Sequence, residues 1–198
     1  EATVGVGAIV LALGNRRLPT DLPRPQGTLL PILTPASWVE RVHDDLATEY
    51  RILWARRRVI LLLDYPEGTP KETAAEALRA TLDVVELAHP EVCVYYRDLQ
   101  VDTHHLERLT RRTRELGVIY CRYGDLEVTF DQDHVLVTSE EGQRVGDVLV
   151  VPERIASPAT APELAAKLGI LLGDDGLLQD VNMRYVSGLQ TVRHGVYV

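Results

Sequence analysis

The sequence predicts an α/β fold built on a parallel sheet, because apolar strand-like runs alternate with amphipathic helices through the middle of the chain. Three short runs rich in Val, Ile, Leu and Tyr, at 58–65, 92–99 and 118–123, predict the first strands. Alternating segments separated by turn residues follow to residue 151, a pattern typical of antiparallel strands, before one more strand returns to the sheet. Because parallel strands with short crossovers place helices on both faces, we expect a Rossmann-like βαβαβ unit with a three-strand antiparallel meander.

The apolar run 8–13 predicts a strand near the start of the chain, and Gly14 ends it. Gly5 and Gly7 before it are spaced like the start of a dinucleotide-binding G-x-G-x-x-G motif, which requires a strand first and a helix afterwards. Here the third position is Val10 and the strand follows the glycines. We therefore interpret the glycines as positions of close packing rather than as a phosphate loop.

A proline-rich connector, residues 15–33, leads to the first predicted helix. Thr34 supplies its N-cap and Pro35 its first position. The apolar residues at helical spacing are Trp38, Val42, Leu46, Tyr50 and Leu53. The basic residues 56–58 follow where the helix dipole favours cations, and we prefer this structural role for them over the alternative of a phosphate site.

Three further helices are predicted by an N-cap residue followed by helical periodicity. A capping box at 69–72, with proline at the first helical position, opens the first of them. Asp102 caps a helix that Gly117 ends, and its arginines, interleaved with glutamates, are interpreted as a solvated face. Thr160 caps a short helix that runs to Leu168.

Composition and charge disfavour several classes of protein. The chain has 21 Lys and Arg residues against 29 Asp and Glu residues, a formal net charge of -8. That balance disfavours non-specific binding to nucleic acid or to an anionic membrane. The longest apolar runs are too short to span a bilayer and no cleavable leader is recognised, so we expect a cytoplasmic protein.

The cysteines and histidines indicate no metal site. Cys93 and Cys121 lie on separate predicted strands without C-x-x-C spacing, so we expect buried, inert thiols. In a three-two-one strand order their strands are neighbours, and the two thiols could then touch. His104 and His105 are adjacent and diverge by about 100° on a helix, so they cannot face one metal ion. We expect no metal or iron–sulfur cluster, and spacing indicates no catalytic residue.

A βαβαβ unit with a meander, flanked on both sides by shorter pieces, resembles the pyridine-nucleotide domain of flavoproteins with two dinucleotide-binding domains. In that superfamily the domain is inserted into the FAD domain. Residues 6–14 are similar to the strand by which the chain leaves the FAD domain, and 193–198 to the strand by which it returns. Several segments resemble heterodisulfide reductase A, the FAD-dependent component of that enzyme, and its relatives, namely 29–42, 94–100, 105–124, 146–151 and 164–184.

The resemblance implies a domain organisation and a pair of cofactor-binding residues. The implied parts are an exit strand of the FAD-like domain (1–14), a connector with the amphipathic helix (15–57), an NAD(P)-binding-like domain (58–151) and a return segment to the FAD-like domain (152–198). The exit and return strands are expected to lie close together. Gly14 and Gly195, at the ends of these strands, are the implied contacts to FAD.

The resemblance also implies that the complete family protein carries FAD and transfers electrons. This sequence departs from the family at 73–82, where relatives usually carry cysteines and this chain has none, so iron–sulfur ligation is not supported. It also shows no G-x-G-x-x-G segment for the ADP half of FAD. We therefore expect the isolated chain to be inactive and free of flavin, with other redox subunits or the missing FAD-domain segment as partners.

The loop after the first strand of the βαβαβ unit, residues 64–70, is poorly suited to a nicotinamide cofactor. It has a single glycine, two prolines, and the acidic Asp64 and Glu67 where a pyrophosphate would lie. Arg97 and Asp98 end the second strand, where an acidic residue could bind a ribose, but we favour a solvated strand end. NAD(H) and NADP(H) are expected to bind weakly or not at all.

Two alternatives to the flavoprotein interpretation stay open. The first is a non-catalytic Rossmann-like scaffold that docks redox partners. The second is an independent NAD(P)-dependent reductase. Flavin binding by the chain joined to the FAD-domain segments of the family would distinguish the flavoprotein from the scaffold, and titration with nicotinamide cofactors tests the reductase.

Overall fold

The computed structural model of this protein describes residues 5–20, 22, 29–47, 51–66, 68–69, 71–99, 104–173, 177–178, 191 and 193–197, without the side chains of residues 51, 52, 71, 72 and 104. The chain forms two compact units. The insert unit is Pro19–Arg154. The flanking unit combines Glu1–Leu18 with Ile155–Val198, so the insert unit interrupts it in sequence.

The described residues contain five helices and twelve strands. The helices are α1 (Pro35–Leu46), α2 (Arg51–Trp54), α3 (Lys71–Ala88), α4 (His104–Glu115) and α5 (Ala161–Leu168). The strands are β1 (Ile9–Val10), β2 (Arg16–Leu18), β3 (Ile32–Leu33), β4 (Arg58–Leu62), β5 (Glu91–Tyr96), β6 (Ile119–Arg122), β7 (Glu127–Phe130), β8 (Val135–Ser139), β9 (Gly142–Gly146), β10 (Val148–Val150), β11 (Arg154–Ala156) and β12 (Val196–Tyr197).

A five-stranded parallel sheet forms the centre of the insert unit, in the order β3-β10-β4-β5-β6. Val59 of β4 pairs with Val92 of β5, and Cys93 of β5 pairs with Ile119 of β6. β10 is buried along its whole length, as expected for a strand covered on both faces. The predicted α/β class, with a parallel sheet and an antiparallel meander, is confirmed.

The helices and the meander cover opposite faces of this sheet. Leu61 of β4 lies in one core cluster with Trp38 of α1 and Val84 of α3, whereas the next residue, Leu62, lies in another cluster with Val137 of β8. The expectation of helices on both faces is therefore wrong for the described part of the chain. The helix-linked strands β3, β4, β5 and β6 succeed one another in a single direction across the sheet, and right-handed crossovers place their helices on the same side.

Helix α1 begins as predicted and ends earlier. Thr34 is its N-cap and Pro35 opens it, and Thr34 and Ser37 form a reciprocal capping box. The single predicted helix is two helices in the described residues, because α1 ends at Leu46 and α2 starts at Arg51. Tyr50, assigned to the predicted helix, lies outside the described residues.

The other predicted helix ends agree with the structure in part. Gly117 follows α4 with a φ of 93°, and Gly169 ends α5 with a φ of 63°, the left-handed conformation that glycine adopts most easily. Thr160 is the N-cap residue of α5 but makes no side-chain capping hydrogen bond. Asp102 and Pro70 lie outside the described residues, as does the side chain of Glu72, so these parts of the capping predictions stay predictions.

The last apolar segment predicted for the meander divides between two sheets. β9 pairs antiparallel with β8, whereas β10, two residues later, joins the parallel sheet. Gly146 closes β9 where there is no room for a side chain, since an added Cβ would lie 2.8 Å from Val135 Cγ1 and 2.9 Å from Ile60 Cδ1. A side chain at this position would force Val135 or Ile60 to move, so the close approach of meander and sheet favours glycine.

In the flanking unit, β1 pairs parallel with β12 although the two strands come from opposite ends of the chain. Ile9 is the register partner of Val196 and Val10 that of Tyr197. A small core that includes Ala165 of α5 surrounds this pair. Among the described residues, no helix combines the length and the apolar character needed to cross a membrane.

Candidate functional site

The carboxyl ends of β4 and β5 form the edge of the sheet at which dinucleotides bind in doubly wound folds. Asp64 follows β4 at this edge and is only 9% exposed. Its Oδ1 accepts a hydrogen bond from the Thr69 N–H at 2.8 Å. Its Oδ2 accepts from the N–H groups of Arg97 and Asp98 at 3.1 and 3.2 Å. The carboxylate thus ties its own loop to the end of the neighbouring strand.

The backbone donors at the two ends of this loop are used internally. The Asp64 N–H donates to Thr69 Oγ1 at 2.7 Å, while the Thr69 N–H donates to the Asp64 carboxylate. Pro66 has no N–H, and Glu67 lies outside the described residues. A pyrophosphate loop instead directs its N–H groups at the ligand. In the described part of this loop, a carboxylate takes the place that a bound anion would occupy.

Tyr123, which follows β6, also holds the start of the loop after β4 in place. Its hydroxyl donates to the carbonyl oxygens of Leu63 and Asp64, at 3.0 and 2.8 Å. Burial raises the pKa of Tyr123 to about 12, so the phenol stays protonated and remains a donor at neutral pH. The Asp64 backbone has a φ of 60°, an uncommon conformation for a residue other than glycine, and these contacts hold it there.

Arg97 and Asp98 are exposed at this edge, as the solvated-end interpretation predicts. The Arg97 guanidinium lies over the Tyr123 ring, 5.4 Å from its centroid. The pocket between the 65–69 loop and Pro152 has a volume of only about 20 Å³, far below the roughly 300–1,000 Å³ of typical ligand pockets. The described part of this edge, which does not include residues 67, 70 and 100–103, therefore favours neither a ribose nor a nicotinamide.

The two cysteine thiols are in contact, as the predicted strand order allows. Cys93 Sγ and Cys121 Sγ lie 3.4 Å apart, and both residues are buried. Burial, followed by the hydrogen bond to Cys121, raises the pKa of the Cys93 thiol, which keeps it protonated. Within the described residues, no group of three or more Cys, His, Asp or Glu side chains could hold a metal ion. The pair has the properties of inert core thiols.

The exit and return strands lie side by side, as the resemblance implies. The Ile9 N–H donates to the Gly195 carbonyl and the Leu11 N–H to that of Tyr197, both at 2.8 Å. Gly195 precedes β12 and lies beside the amino end of β1, whereas Gly14 lies four residues beyond the carboxyl end of β1. The structure therefore brings the strands together and leaves the two glycines at opposite ends of the ladder.

Both glycines have positive φ angles, 67° at Gly14 and 80° at Gly195. A Cβ added at Gly14 would meet nothing within 4 Å, and one at Gly195 would meet only the Gly7 carbonyl oxygen, at 3.7 Å. Open space at a backbone turn permits close approach of a bound group. Their role in binding a cofactor stays a prediction.

Sequence reasoning missed the contacts that join distant segments. Asp64 was expected to repel a pyrophosphate, but not to bind the backbone at Arg97 and Asp98. Arg58 and Asp147, 89 positions apart, form an ion pair at 2.6 Å that no sequence pattern indicates. In each case the partners are polar residues at strand ends, and only the strand order shows which ends meet.

Comparison with known proteins gives no family assignment. No protein-family profile matches the chain, and no curated protein matches it. Solved structures do resemble it. One is the Cu(II) complex of the HOCl-induced flavoprotein disulfide reductase RclA from Escherichia coli, with 16% identity over 96% of this chain and a TM-score of 0.48. The chain spans 38% of the length of that protein.

Two other solved structures show a similar degree of likeness. A thioredoxin reductase from T. acidophilum is 13% identical over 96% of this chain and 55% of its own, with a TM-score of 0.49. A NAD-dependent persulfide reductase from A. fulgidus is 20% identical over 98% of this chain and 33% of its own, with a TM-score of 0.45. At these identities and TM-scores the function has to be argued from the residues of the chain itself.

Proposed function

We propose that this chain is part of an FAD-dependent electron-transfer oxidoreductase that resembles heterodisulfide reductase A and has a degenerate nicotinamide-binding domain. The observation that supports this most directly is the parallel pairing of β1 with β12. A unit made from both ends of the chain and interrupted by a Rossmann-like unit is the arrangement expected of a dinucleotide domain inserted into an FAD domain. FAD would belong to the flanking unit, where Gly14 and Gly195 leave the backbone accessible.

The degenerate character of the insert unit rests on Asp64. Its carboxylate accepts three backbone hydrogen bonds at the edge where NAD(P)H would bind. A second anion at this position would be repelled and would find the Asp64 and Thr69 donors already used. Electrons would then reach the flavin from other redox subunits rather than from a nicotinamide bound here.

Joining this chain to further segments of an FAD domain tests this proposal. A fusion of the chain to a segment with a G-x-G-x-x-G strand and helix, followed by an Ala-Gly-Asp continuation after Val198, is expected to purify with the visible absorption of oxidised flavin. The isolated chain is expected to be colourless. Bound FAD in the isolated chain would contradict the fragment interpretation, because the pyrophosphate and its charge would have no binding loop.

The second candidate function is a non-catalytic scaffold that docks redox partners. The observation in its favour is the same sheet edge, where the described residues beside the Asp64 loop enclose a pocket of only about 20 Å³. A fusion that folds, as judged by circular dichroism, and still binds no FAD would support the scaffold. The restored flavin spectrum would argue against it.

Calorimetric titration with NADH and NADPH addresses the third possibility, an independent NAD(P)-dependent reductase. We expect no saturable binding of either cofactor. A dissociation constant in the low micromolar range corresponds to about 8 kcal/mol of binding free energy, which the Asp64 loop does not supply. Such a result would overturn the degenerate-domain interpretation.

A further inference from the structure

A second, much larger cavity of about 590 Å³ lies in the insert unit, away from the edge that carries Asp64. It adjoins α1 and α2, near the amino ends of β3, β4 and β10. Dinucleotide sites of open parallel sheets lie at the opposite, carboxyl ends of the strands. The volume is in the range of pockets that bind small organic molecules. This cavity is therefore separate from the site discussed above.

The walls of the cavity are mainly apolar. The apolar lining residues are Leu29, Pro31, Leu33, Leu53, Trp54 and Val148. Leu29 is 82% exposed and Leu53 48% exposed, so large aliphatic side chains are in contact with water at this site. Covering them with an apolar ligand would be favourable at about 25 cal/mol per Å² of apolar surface removed from water.

The described lining also includes three charged residues: Arg41, Asp45 and Arg57. Asp45 Oδ2 accepts hydrogen bonds from Trp54 Nε1 at 3.0 Å and from Arg41 Nε at 3.4 Å. The charges of Arg41 and Asp45 thus compensate each other, and the Trp54 indole is held in the wall by its hydrogen bond. Together, Arg41 and Asp45 therefore add no net charge to the cavity.

Arg57 is different: the residue is half-buried, and its guanidinium has no hydrogen-bond or ion-pair partner among the described residues. The backbone of Arg57 is used, since its N–H donates to the Trp54 carbonyl and its carbonyl accepts from the Glu91 N–H. The side chain therefore starts from a fixed position at the cavity. The described lining carries one positive charge that is not compensated.

We propose that this cavity binds an amphipathic monocarboxylate, whose apolar body lies against the aliphatic walls and Trp54 and whose carboxylate pairs with Arg57. A guanidinium offers two parallel N–H donors that match the two oxygens of a carboxylate. A single uncompensated cation matches a single negative charge, whereas a dianionic phosphate would require more donors. The apolar walls select against small, fully hydrated anions such as acetate.

Decanoate and its neutral counterpart 1-decanol are suitable probes, because they share a hydrocarbon chain and differ in charge. Binding to the full chain is measured by calorimetry and by tryptophan fluorescence, for which Trp54 in the wall is the expected reporter and Trp38, fully buried in the core, is not. We expect decanoate to bind at least tenfold more tightly than 1-decanol. Replacing Trp54 by Phe should remove most of the fluorescence change.

The variant Arg57→Met removes the charge and keeps an unbranched side chain. We expect it to weaken decanoate binding at least tenfold and to leave 1-decanol binding unchanged. Arg56→Met is the matched control, since Arg56 is the exposed neighbour and does not line the cavity. It should bind both probes like the wild-type chain.

Three results would overturn the proposal. One is the absence of saturable decanoate binding to the wild-type chain. Another is equal affinity of the wild-type chain for decanoate and 1-decanol. This comparison uses no variant, so it tests the proposal even if Arg57→Met fails to fold. The third is a folded Arg57→Met protein, checked by circular dichroism, that binds decanoate as tightly as Arg56→Met does.

Discussion

Among single residues, Asp64 is the one that ties the loop after β4 to the end of β5. We expect Asp64→Ala to lower the free energy of unfolding by about 2–3 kcal/mol, because the N–H groups of Thr69, Arg97 and Asp98 lose their acceptor at a largely buried position. Asp64→Asn should fall between Asp64→Ala and the wild type, since its amide keeps one acceptor oxygen. Urea denaturation followed by circular dichroism measures the difference.

Asp98→Ala is the matched control for this prediction. Asp98 lies at the same sheet edge and its side chain is exposed, so its loss should change stability by no more than about 0.5 kcal/mol. If Asp64→Ala and Asp98→Ala were equally stable, the carboxylate of Asp64 would not hold the loop. The proposal that Asp64 closes this sheet edge to a nicotinamide would then lose its structural basis.

The ion pair between Arg58 and Asp147 is a second contact in which single side chains affect stability. Arg58 donates to Asp147 from its backbone N–H at 2.8 Å, from Nε at 3.1 Å and from Nη2 at 2.6 Å. Burial alone raises the pKa of Asp147, but these hydrogen bonds and the positive charge outweigh it, and the net pKa is lowered. The same partner raises the pKa of Arg58.

This lowered pKa makes stability depend on pH in a defined direction. A carboxylate whose pKa is lower in the folded state stabilises the fold above its unfolded pKa, about 3.9 for Asp, and that contribution is lost as the pH falls through the folded value. The stability difference between wild type and Asp147→Asn should therefore be present near neutral pH and shrink as the pH falls below about 4. Urea denaturation at a series of pH values measures it, with Asp98→Asn as the control. A difference that stays constant down to pH 3 would contradict the assignment.

Among the elements, α1 has a cap that is hydrogen-bonded in both directions. Thr34 Oγ1 accepts from the Ser37 N–H and Ser37 Oγ accepts from the Thr34 N–H, at 3.2 and 2.8 Å. We expect Thr34→Ala to cost about 1 kcal/mol, as measured by chemical denaturation. Thr34→Ser keeps the hydroxyl and should be close to wild type.

Thr160 offers a contrast at the start of α5. It occupies the N-cap position without a side-chain capping hydrogen bond, so Thr160→Ala should cost much less than Thr34→Ala. A loss of equal size at both positions would show that the hydroxyl bond at Thr34 is not what stabilises α1. The comparison separates the capping bond from the general preference for threonine at this position.

For the whole molecule, the division into two units predicts that the insert unit folds by itself. It contains two large core clusters, one on each face of the five-stranded sheet, and a smaller cluster of Ala75, Leu106 and Leu109; every described member of all three belongs to Pro19–Arg154. We expect residues 19–154, expressed alone, to unfold in a single cooperative transition on heating, followed by circular dichroism. A chain that shows no cooperative transition without the flanking segments would contradict this.

The sequence by itself determined the class of fold and many helix ends. Apolar runs such as 58–65 and caps such as Thr34 act over a few residues, so their effect is present in the local sequence. The resemblance to flavoproteins with two dinucleotide-binding domains also predicted the proximity of β1 and β12, and the structure confirms that proximity. The period of the hydrophobic residues and the chemistry of helix caps are local properties, so the sequence alone is enough to predict the elements that they define.

Only the tertiary structure decided how these elements combine. The placement of the helices on one face follows from the strand order β3-β10-β4-β5-β6. The bonds from Arg97 and Asp98 to Asp64, 33 and 34 positions away, depend on which strand ends meet. The cavity beside Arg57 exists because α1, α2 and the edge strand leave a space that their separate sequences do not show. Such features depend on packing between segments far apart in the chain, where polar residues carry no periodic signal.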